Sequence, residues 1–166
     1  MKKSSYLIFL LFSIFLLAFF FNADPNGGAY KDYLNHINVF EDFKENFINT
    51  LFNYDKYSTR HSPVLYIFIS ILYKIGISDF FVRLISVHVC IFLIFIFYKC
   101  LVIKFKSVNK NNLILFSGII FLSPSFWSLS IWPDSRIFGL LFFCLSIFYF
   151  LKFKENNNFK NSLKCV

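Results

Sequence analysis

The sequence is poor in charged residues, which make up only 16% of its 166 positions. Soluble domains carry about 25% charged residues. Apolar residues account for 57% of the chain, and 27 of its residues are phenylalanine. A soluble domain of this length could not bury so much apolar surface, so much of that surface must face lipid or other helices. The composition therefore excludes an ordinary soluble protein and predicts an integral membrane protein.

The sequence also lacks the motifs of several common enzyme classes. It contains no GxGxxG or GxxxxGK[ST] loop for a nucleotide, and no HExxH or GxSxG motif. Its four cysteines show neither CxxC nor zinc spacing, which is typical of small apolar core residues. No cofactor is indicated, and a need for a divalent metal ion stays open. The net charge of +8 comes from basic residues that cluster at the ends of apolar segments, which favours a topological signal over nucleic-acid binding.

Five apolar segments follow one another along the chain, at residues 6–21, 63–77, 80–103, 113–131 and 137–153. A spanning helix needs about 20 apolar residues, and the segment 63–77 is short and contains Lys74. If this segment lies at the outer surface, ten basic residues and one acidic residue fall in the cytoplasm, and seven basic and eight acidic residues fall outside. The positive-inside rule therefore favours four spans.

The predicted fold is an all-α integral membrane protein with about four transmembrane helices and juxtamembrane helices in a large first outer loop. The expected order in this single domain, 1–166, is a cytoplasmic N-terminus, helix 6–21, outer loop 22–79, helices 80–103, 113–131 and 137–153, and a cytoplasmic tail 154–166. Lys2 and Lys3 before the first apolar run also suit a signal peptide. Phe21 would then occupy the −3 position, where a small residue is needed, so an uncleaved first helix is the preferred interpretation.

Two acidic residues of the outer loop are candidates for a catalytic role. Asp24 comes where the first helix reaches the outer surface, and Pro25 and the glycines after it predict a turn. A carboxylate fixed at the level of the lipid headgroups suits a general base that acts on a hydroxyl acceptor. The alternative is that Asp24 caps the next helix. Asp32, eight residues further on, is by itself typical of a solvated charge.

Two basic residues precede the surface segment. Arg60 and His61 come just before Pro63, which can open a helix at its first position. A helix N-terminus favours anions, so this pair could face an anionic or sugar ligand. The alternative is an interfacial anchor to phospholipid headgroups.

Two further arginines lie near the outer ends of predicted spans. Arg83 follows Asp79 by four residues and could form an ion pair with it, or could face the interior of the helix bundle. Arg136 lies in the short turn before the last span, and arginine is well suited to bind phosphate in bidentate fashion. The alternative for Arg136 is again an interfacial anchor.

Taken in order, these segments resemble the N-terminal part of the GT-C glycosyltransferases, in the branch of the protein O-mannosyltransferases and aminoarabinose transferases. The similar stretches are the acidic start of the first outer loop, "HSPVLY" at 61–66, "VRLIS" at 82–86 and "IWPDSRIFG" at 131–139. The chain departs from the family pattern where Ser62 and Ile85 replace prolines, and where Pro25 follows Asp24 in place of a second acidic residue. The resemblance covers most of the chain and about the first third of a typical family member.

The resemblance implies sugar transfer from a polyprenyl-phosphate-sugar donor in the bilayer to an extracytoplasmic glycan, lipid or protein acceptor, without nucleic acid. Asp24, with Asp32 in reserve, would act on the acceptor hydroxyl. The residues expected to bind the donor phosphate or the substrate are Arg60, His61, Arg83 and Arg136. The resemblance also implies a bacterial inner membrane and a chain that is a fragment of a larger transferase. The alternative class is a small non-catalytic membrane subunit or scaffold whose acidic loop binds a partner.

Overall fold

A computed structural model describes residues 3–24, 28–59 and 61–156, and all regular structure within these ranges is helical, without a strand. The α-helices are α1 (Lys3–Phe20), α2 (Ala29–Glu45), α3 (Phe47–Phe52), α4 (Val64–Lys74), α5 (Asp79–Lys104), α6 (Lys110–Gly118), α7 (Pro124–Ile131) and α8 (Ser135–Asn156). Single turns of 3-10 helix occupy Tyr54–Tyr57 and Ile119–Leu122. The all-helical class predicted from the sequence is confirmed for this part of the chain.

Two helices of the described residues are long and apolar enough to cross a membrane, namely α5 and α8. The 26 residues of α5 give it a length of about 39 Å at about 1.5 Å per residue, which exceeds the hydrocarbon core of about 30 Å. The two helices pack side by side, and the Cys100 thiol of α5 faces the Cys144 carbonyl oxygen of α8 at 3.7 Å. They correspond to the predicted spans 80–103 and 137–153.

The segment 113–131, predicted as one continuous helix, is instead broken into α6 and α7. The chain bends by 79° between Lys110–Leu122 and Pro124–Ile131. Proline has no N–H to continue the preceding helix, and the Ser123 hydroxyl caps α7 by accepting a hydrogen bond from the Phe126 N–H at 3.3 Å. The bent pair makes a third span if it crosses the membrane as one broken unit.

The predicted outer loop holds a layer of three shorter helices, α2, α3 and α4. With 11 residues, α4 is about 16 Å long, too short for a hydrocarbon core of about 30 Å. It packs on α2 instead, where Phe40 and Ile69 are buried and the Ser70 hydroxyl donates to the Phe40 carbonyl oxygen at 2.8 Å. Gly76 ends this helix with φ +85°, a left-handed conformation that glycine adopts easily. The segment 63–77 therefore forms a helix that rests on α2.

Arg83 of α5 joins the ends of α1 and α7. Its guanidinium donates to the carbonyl oxygens of Phe19 at 2.8 Å and Ile131 at 3.3 Å, and to the side-chain oxygen of Asn22. Its Cζ lies 4.7 Å from the ring centre of Phe19 and 4.2 Å from that of Trp132. The residue is only 7% exposed. These contacts hold the ends of α1 and α7 against the start of α5.

The ion pair between Arg83 and Asp79 that the sequence suggests is not formed, because the guanidinium is turned toward α1 and α7. Asp79 instead accepts a hydrogen bond from the Tyr33 hydroxyl at 3.1 Å, and this hydroxyl also bonds to the hydroxyl of Tyr73. Burial is the main reason that the pKa of Tyr33 is raised to about 12. The three residues link α2, α4 and α5 beside a cleft of about 320 Å³.

Candidate functional site

Five polar residues from three separate segments lie next to one another, and we call them the polar cluster. They are Asp32, His36, His61, Asp134 and Arg136. The first two lie one turn apart on the same face of α2. His61 comes from the segment before α4, and the last two come from the turn between α7 and α8. The structure thus brings together three of the residues that the sequence singles out, Asp32, His61 and Arg136.

Arg136 is held by two carboxylates of the polar cluster. Its Nε and Nη2 donate to the two oxygens of Asp134 at 2.8 and 2.6 Å, and Nη2 also donates to Asp32 Oδ2 at 3.0 Å. The backbone N–H of Arg136 donates to Asp134 Oδ1 at 2.7 Å, so this carboxylate also caps the start of α8. Asp134 is buried, whereas the Arg136 side chain is 52% exposed. Paired charges of this geometry fix the plane of the guanidinium.

The two histidines of the polar cluster face each other edge to face. Their ring centres lie 6.0 Å apart with an interplanar angle of 87°. The Nδ1 atom of His61 lies 3.0 Å from the Ser135 hydroxyl, and its carbonyl oxygen accepts a hydrogen bond from the Tyr54 hydroxyl at 2.8 Å. The ring of His36 packs against that of Tyr66, with 4.9 Å between their centres. Both imidazoles are therefore positioned by contacts outside their own segments.

The neighbours of His36 set its protonation state. Burial lowers the pKa of His36, the nearby His61 lowers it further, and the carboxylates of Asp32 and Asp134 act in the opposite direction. The net shift is downward from the ordinary value of 6.5, so the imidazole is neutral at pH 7. A neutral imidazole keeps one nitrogen that can accept a proton or a hydrogen bond.

Four residues of the polar cluster line a pocket of about 10 Å³, namely Asp32, His36, His61 and Asp134. A space of this size holds about one water molecule. Asp32 lines this pocket, and its carboxylate also accepts the hydrogen bond from Arg136 Nη2. A phosphate group can therefore reach the guanidinium only if it displaces the Asp32 carboxylate, or if it approaches Nη1, which makes no hydrogen bond to the described residues.

Asp24 lies apart from the polar cluster, at the point where α1 leads into α2. Its Oδ2 accepts a hydrogen bond from the backbone N–H of Tyr30 at 3.1 Å, in the first turn of α2. Its Oδ1 accepts a hydrogen bond from the Ser128 hydroxyl of α7. The capping contact that the sequence offered as the alternative is thus present, and the same carboxylate also joins α2 to α7.

The two remaining predicted site residues do not belong to the polar cluster as observed. Arg83 is buried between α1, α5 and α7, where its donors are taken by protein oxygens. In this conformation it holds helices together and offers no surface to a phosphate. Arg60 lies outside the described residues.

His36 and Asp134 were not selected as site residues from the sequence. The spacing of His36 from Asp32, four residues within a helical pattern, is a signal for a shared face that could have been used. The signal at Asp134 is weaker, because a carboxylate two residues before an arginine in a turn is common. Its burial, at 7% exposure, is a tertiary property that no local pattern reports.

Comparison of the chain with protein-family models, with curated proteins and with solved structures finds no significant match. Within the described ranges, no group of three or more histidine, cysteine, aspartate or glutamate residues is arranged to hold a metal ion. The polar cluster is therefore interpreted from its own geometry.

Replacing His36 with glutamine should reduce the loss of stability on acidification. The pKa of His36 is lower in the folded than in the unfolded protein, so protonation favours unfolding. The contribution of the neutral His36 to the free energy of unfolding is fully present above the unfolded-state pKa of about 6.5. It is lost as the pH falls through the folded-state pKa. We would measure the midpoint temperature of thermal unfolding in detergent between about pH 7.5 and pH 5. This temperature should fall less steeply with decreasing pH for His36→Gln than for wild type.

His88→Gln is the matched control for this measurement. His88 is exposed on α5, and its Nδ1 contacts the Leu84 carbonyl oxygen of its own helix at 2.7 Å. We expect this variant to keep the wild-type pH dependence. An unchanged slope in His36→Gln would contradict the environment assigned to His36.

Proposed function

We propose that the protein is a membrane glycosyltransferase that moves a sugar from a polyprenyl-phosphate-sugar donor to an extracytoplasmic hydroxyl acceptor. One observation carries the proposal. Asp32, His61 and Arg136 are grouped by the resemblance to the GT-C glycosyltransferases, and they lie together in the polar cluster. Asp32 and Arg136 are 104 residues apart in the chain, and their contact is direct. This supports a shared role for residues that a family pattern selects separately.

The proposed topology has four spans in a bacterial inner membrane, formed by α1, α5, the bent pair of α6 and α7, and α8. The N-terminus would be cytoplasmic, and the layer of α2, α3 and α4 would lie on the outer surface. Lys106, after α5, contacts Glu155 near the end of α8 at 2.5 Å. This contact supports a position of both helix ends on the same side of the membrane, together with the other basic residues of the 99–110 stretch. The polar cluster lies at the opposite end of α8.

In this proposal Arg136 binds the donor phosphate. The planar guanidinium matches two phosphate oxygens, and half of its side-chain surface is exposed. Asp134 is buried and holds the guanidinium from behind, so it would stay in place while the phosphate displaces Asp32. His61, bonded to the Ser135 hydroxyl next to Arg136, would contact the same anion or the sugar.

The reaction breaks the bond between the sugar C1 and the phosphate oxygen and forms a bond between C1 and the acceptor oxygen. The acceptor proton passes to a carboxylate, and the polyprenyl phosphate leaves as an anion that Arg136 stabilises. Asp24 is the first candidate for this base, because its contacts with Ser128 and the Tyr30 N–H orient the carboxylate. Asp32 is the second, because displacement from Arg136 would free it beside the phosphate.

One observation favours the alternative of a non-catalytic membrane subunit. The pocket beside the polar cluster has a volume of only about 10 Å³, and the Arg136 guanidinium is already paired with Asp32 and Asp134. In that alternative, the two carboxylates neutralise the arginine and have no role other than to fix the turn before α8. The two functions differ in whether the guanidinium can exchange a carboxylate for a phosphate.

Purified protein in lipid vesicles should bind a synthetic polyprenyl phosphate, and Arg136→Ala should weaken this binding by at least about tenfold. Hydrogen bonds to charged groups contribute about 1.5–3 kcal/mol, and about 1.4 kcal/mol corresponds to a factor of ten. Lys106→Ala is the matched control, since it removes one positive charge near the other end of α8. The dissociation constant of a labelled lipid is measured at equilibrium for the wild type and for both variants.

Two outcomes would contradict the donor site. A wild-type protein that binds no polyprenyl phosphate would favour the non-catalytic subunit. Equal affinity in wild type and Arg136→Ala would show that the lipid binds elsewhere on the chain.

Asp24→Asn should lower sugar transfer by about 10²–10⁴-fold at equal amounts of folded protein, the usual contribution of a general base. Asparagine keeps a side-chain oxygen for the Tyr30 N–H, so the helix cap is largely retained. Transfer is measured in membranes with a radiolabelled lipid-linked sugar, with Asp32→Asn assayed beside it. Turnover at the wild-type rate in Asp24→Asn would remove Asp24 from the mechanism and leave Asp32 as the base.

A further inference from the structure

At neutral pH the polar cluster carries more negative than positive charge. Asp32 and Asp134 contribute two negative charges and Arg136 contributes one positive charge, so these three residues together carry a net charge of −1. A phosphate anion that approaches the guanidinium therefore also meets repulsion from the two carboxylates. A change in the charge of the cluster toward positive would therefore tighten the binding of the anion.

His36 and His61 are placed to make that change. Both line the pocket that the two carboxylates also line, and their rings are 6.0 Å apart. The Nδ1 of His61 is 3.0 Å from the hydroxyl of Ser135, the residue between Asp134 and Arg136. His36 lies four residues after Asp32 on the same helix face, where a carboxylate and an imidazolium can pair.

We infer that phosphate binding at Arg136 is coupled to proton uptake by His36 and His61. The inference rests on the proposed function, in which the anion is the phosphate of a lipid-linked sugar. Each proton that an imidazole takes up adds one positive charge beside Arg136 and so offsets the excess of negative charge there. The phosphate takes the place of the Asp32 carboxylate at Arg136, and that carboxylate pairs with the cationic His36.

The groups around His36 fit this exchange. Asp32 faces it from its own helix, His61 from the segment before α4, Tyr66 from α4, and Asp134 from the turn before α8. Burial and His61 lower the pKa of His36, which keeps the ring neutral at pH 7 in the closed cluster. A bound anion adds negative charge beside the ring and favours its protonated form.

The test measures binding of a phosphodiester, the methyl ester of a short prenyl phosphate, to the full chain in lipid vesicles. A diester keeps one negative charge over the whole range, whereas a phosphate monoester itself titrates near pH 6. One coupled proton can tighten binding by up to about tenfold per pH unit. We expect the wild-type dissociation constant to fall by about tenfold between about pH 7.5 and pH 5.5.

Three variants test which histidines take up the protons. His36→Gln and His61→Gln should each lose most of the gain at low pH while the helical content stays that of wild type. His88→Gln should keep the full gain, because His88 lies on α5, where its Nδ1 contacts the Leu84 carbonyl oxygen, and it does not line the pocket of the polar cluster.

Each outcome bears on one claim. A wild-type affinity that does not change with pH overturns the inference and leaves the donor site at Arg136 standing. A full pH gain in both His36→Gln and His61→Gln overturns the assignment to these histidines. No binding at either pH, for a probe that keeps its charge, overturns the proposed function together with the inference.

Discussion

The buried guanidinium of Arg83 is the interaction on which the rest of the structure depends. A charged group among apolar helices must have its N–H groups satisfied by the protein, since removal from water is costly. The carbonyl oxygens at the ends of α1 and α7 meet this need, and the rings of Phe19 and Trp132 pack against the guanidinium. Few geometries satisfy all of these contacts at once, so three helix ends are fixed relative to one another.

The helix ends that Arg83 fixes lead directly into the polar residues. Asn22 accepts a hydrogen bond from the guanidinium, and Asp24 follows two residues later. Trp132 packs on the guanidinium, and Asp134 again follows two residues later. Tyr33 of α2 packs on the same tryptophan, with 5.4 Å between ring centres, which brings that helix to the turn before α8. A structural arginine thus helps to set the positions of carboxylates for which we propose roles in binding and chemistry.

Length, apolar pattern and charge predict much of this fold, because they report on local helix formation and on lipid. They place α5 and α8, and they correctly exclude a span at 63–77, where α4 is too short. They miss the break before α7, since Pro124 is tolerated inside many membrane helices and only tertiary packing decides whether the chain bends. The carbonyl partners of Arg83 lie 48 and 64 positions away in the chain, so no local sequence pattern predicts them. The burial of Asp134 depends on how the helices pack and is likewise absent from the local sequence.

The dependence of the polar cluster on Arg83 can be measured by crosslinking in membranes. His61→Cys and Ser135→Cys are introduced into a chain whose native cysteines are replaced by alanine, because the two native side chains are 3.0 Å apart. A short thiol crosslinker is added, and the linked peptides are quantified by mass spectrometry with Arg83 or with Arg83→Met. We expect efficient linkage with Arg83 and a large loss of linkage with methionine. Absence of the link in the presence of Arg83, or equal linkage in both proteins, would show that Arg83 does not set the positions of the polar cluster.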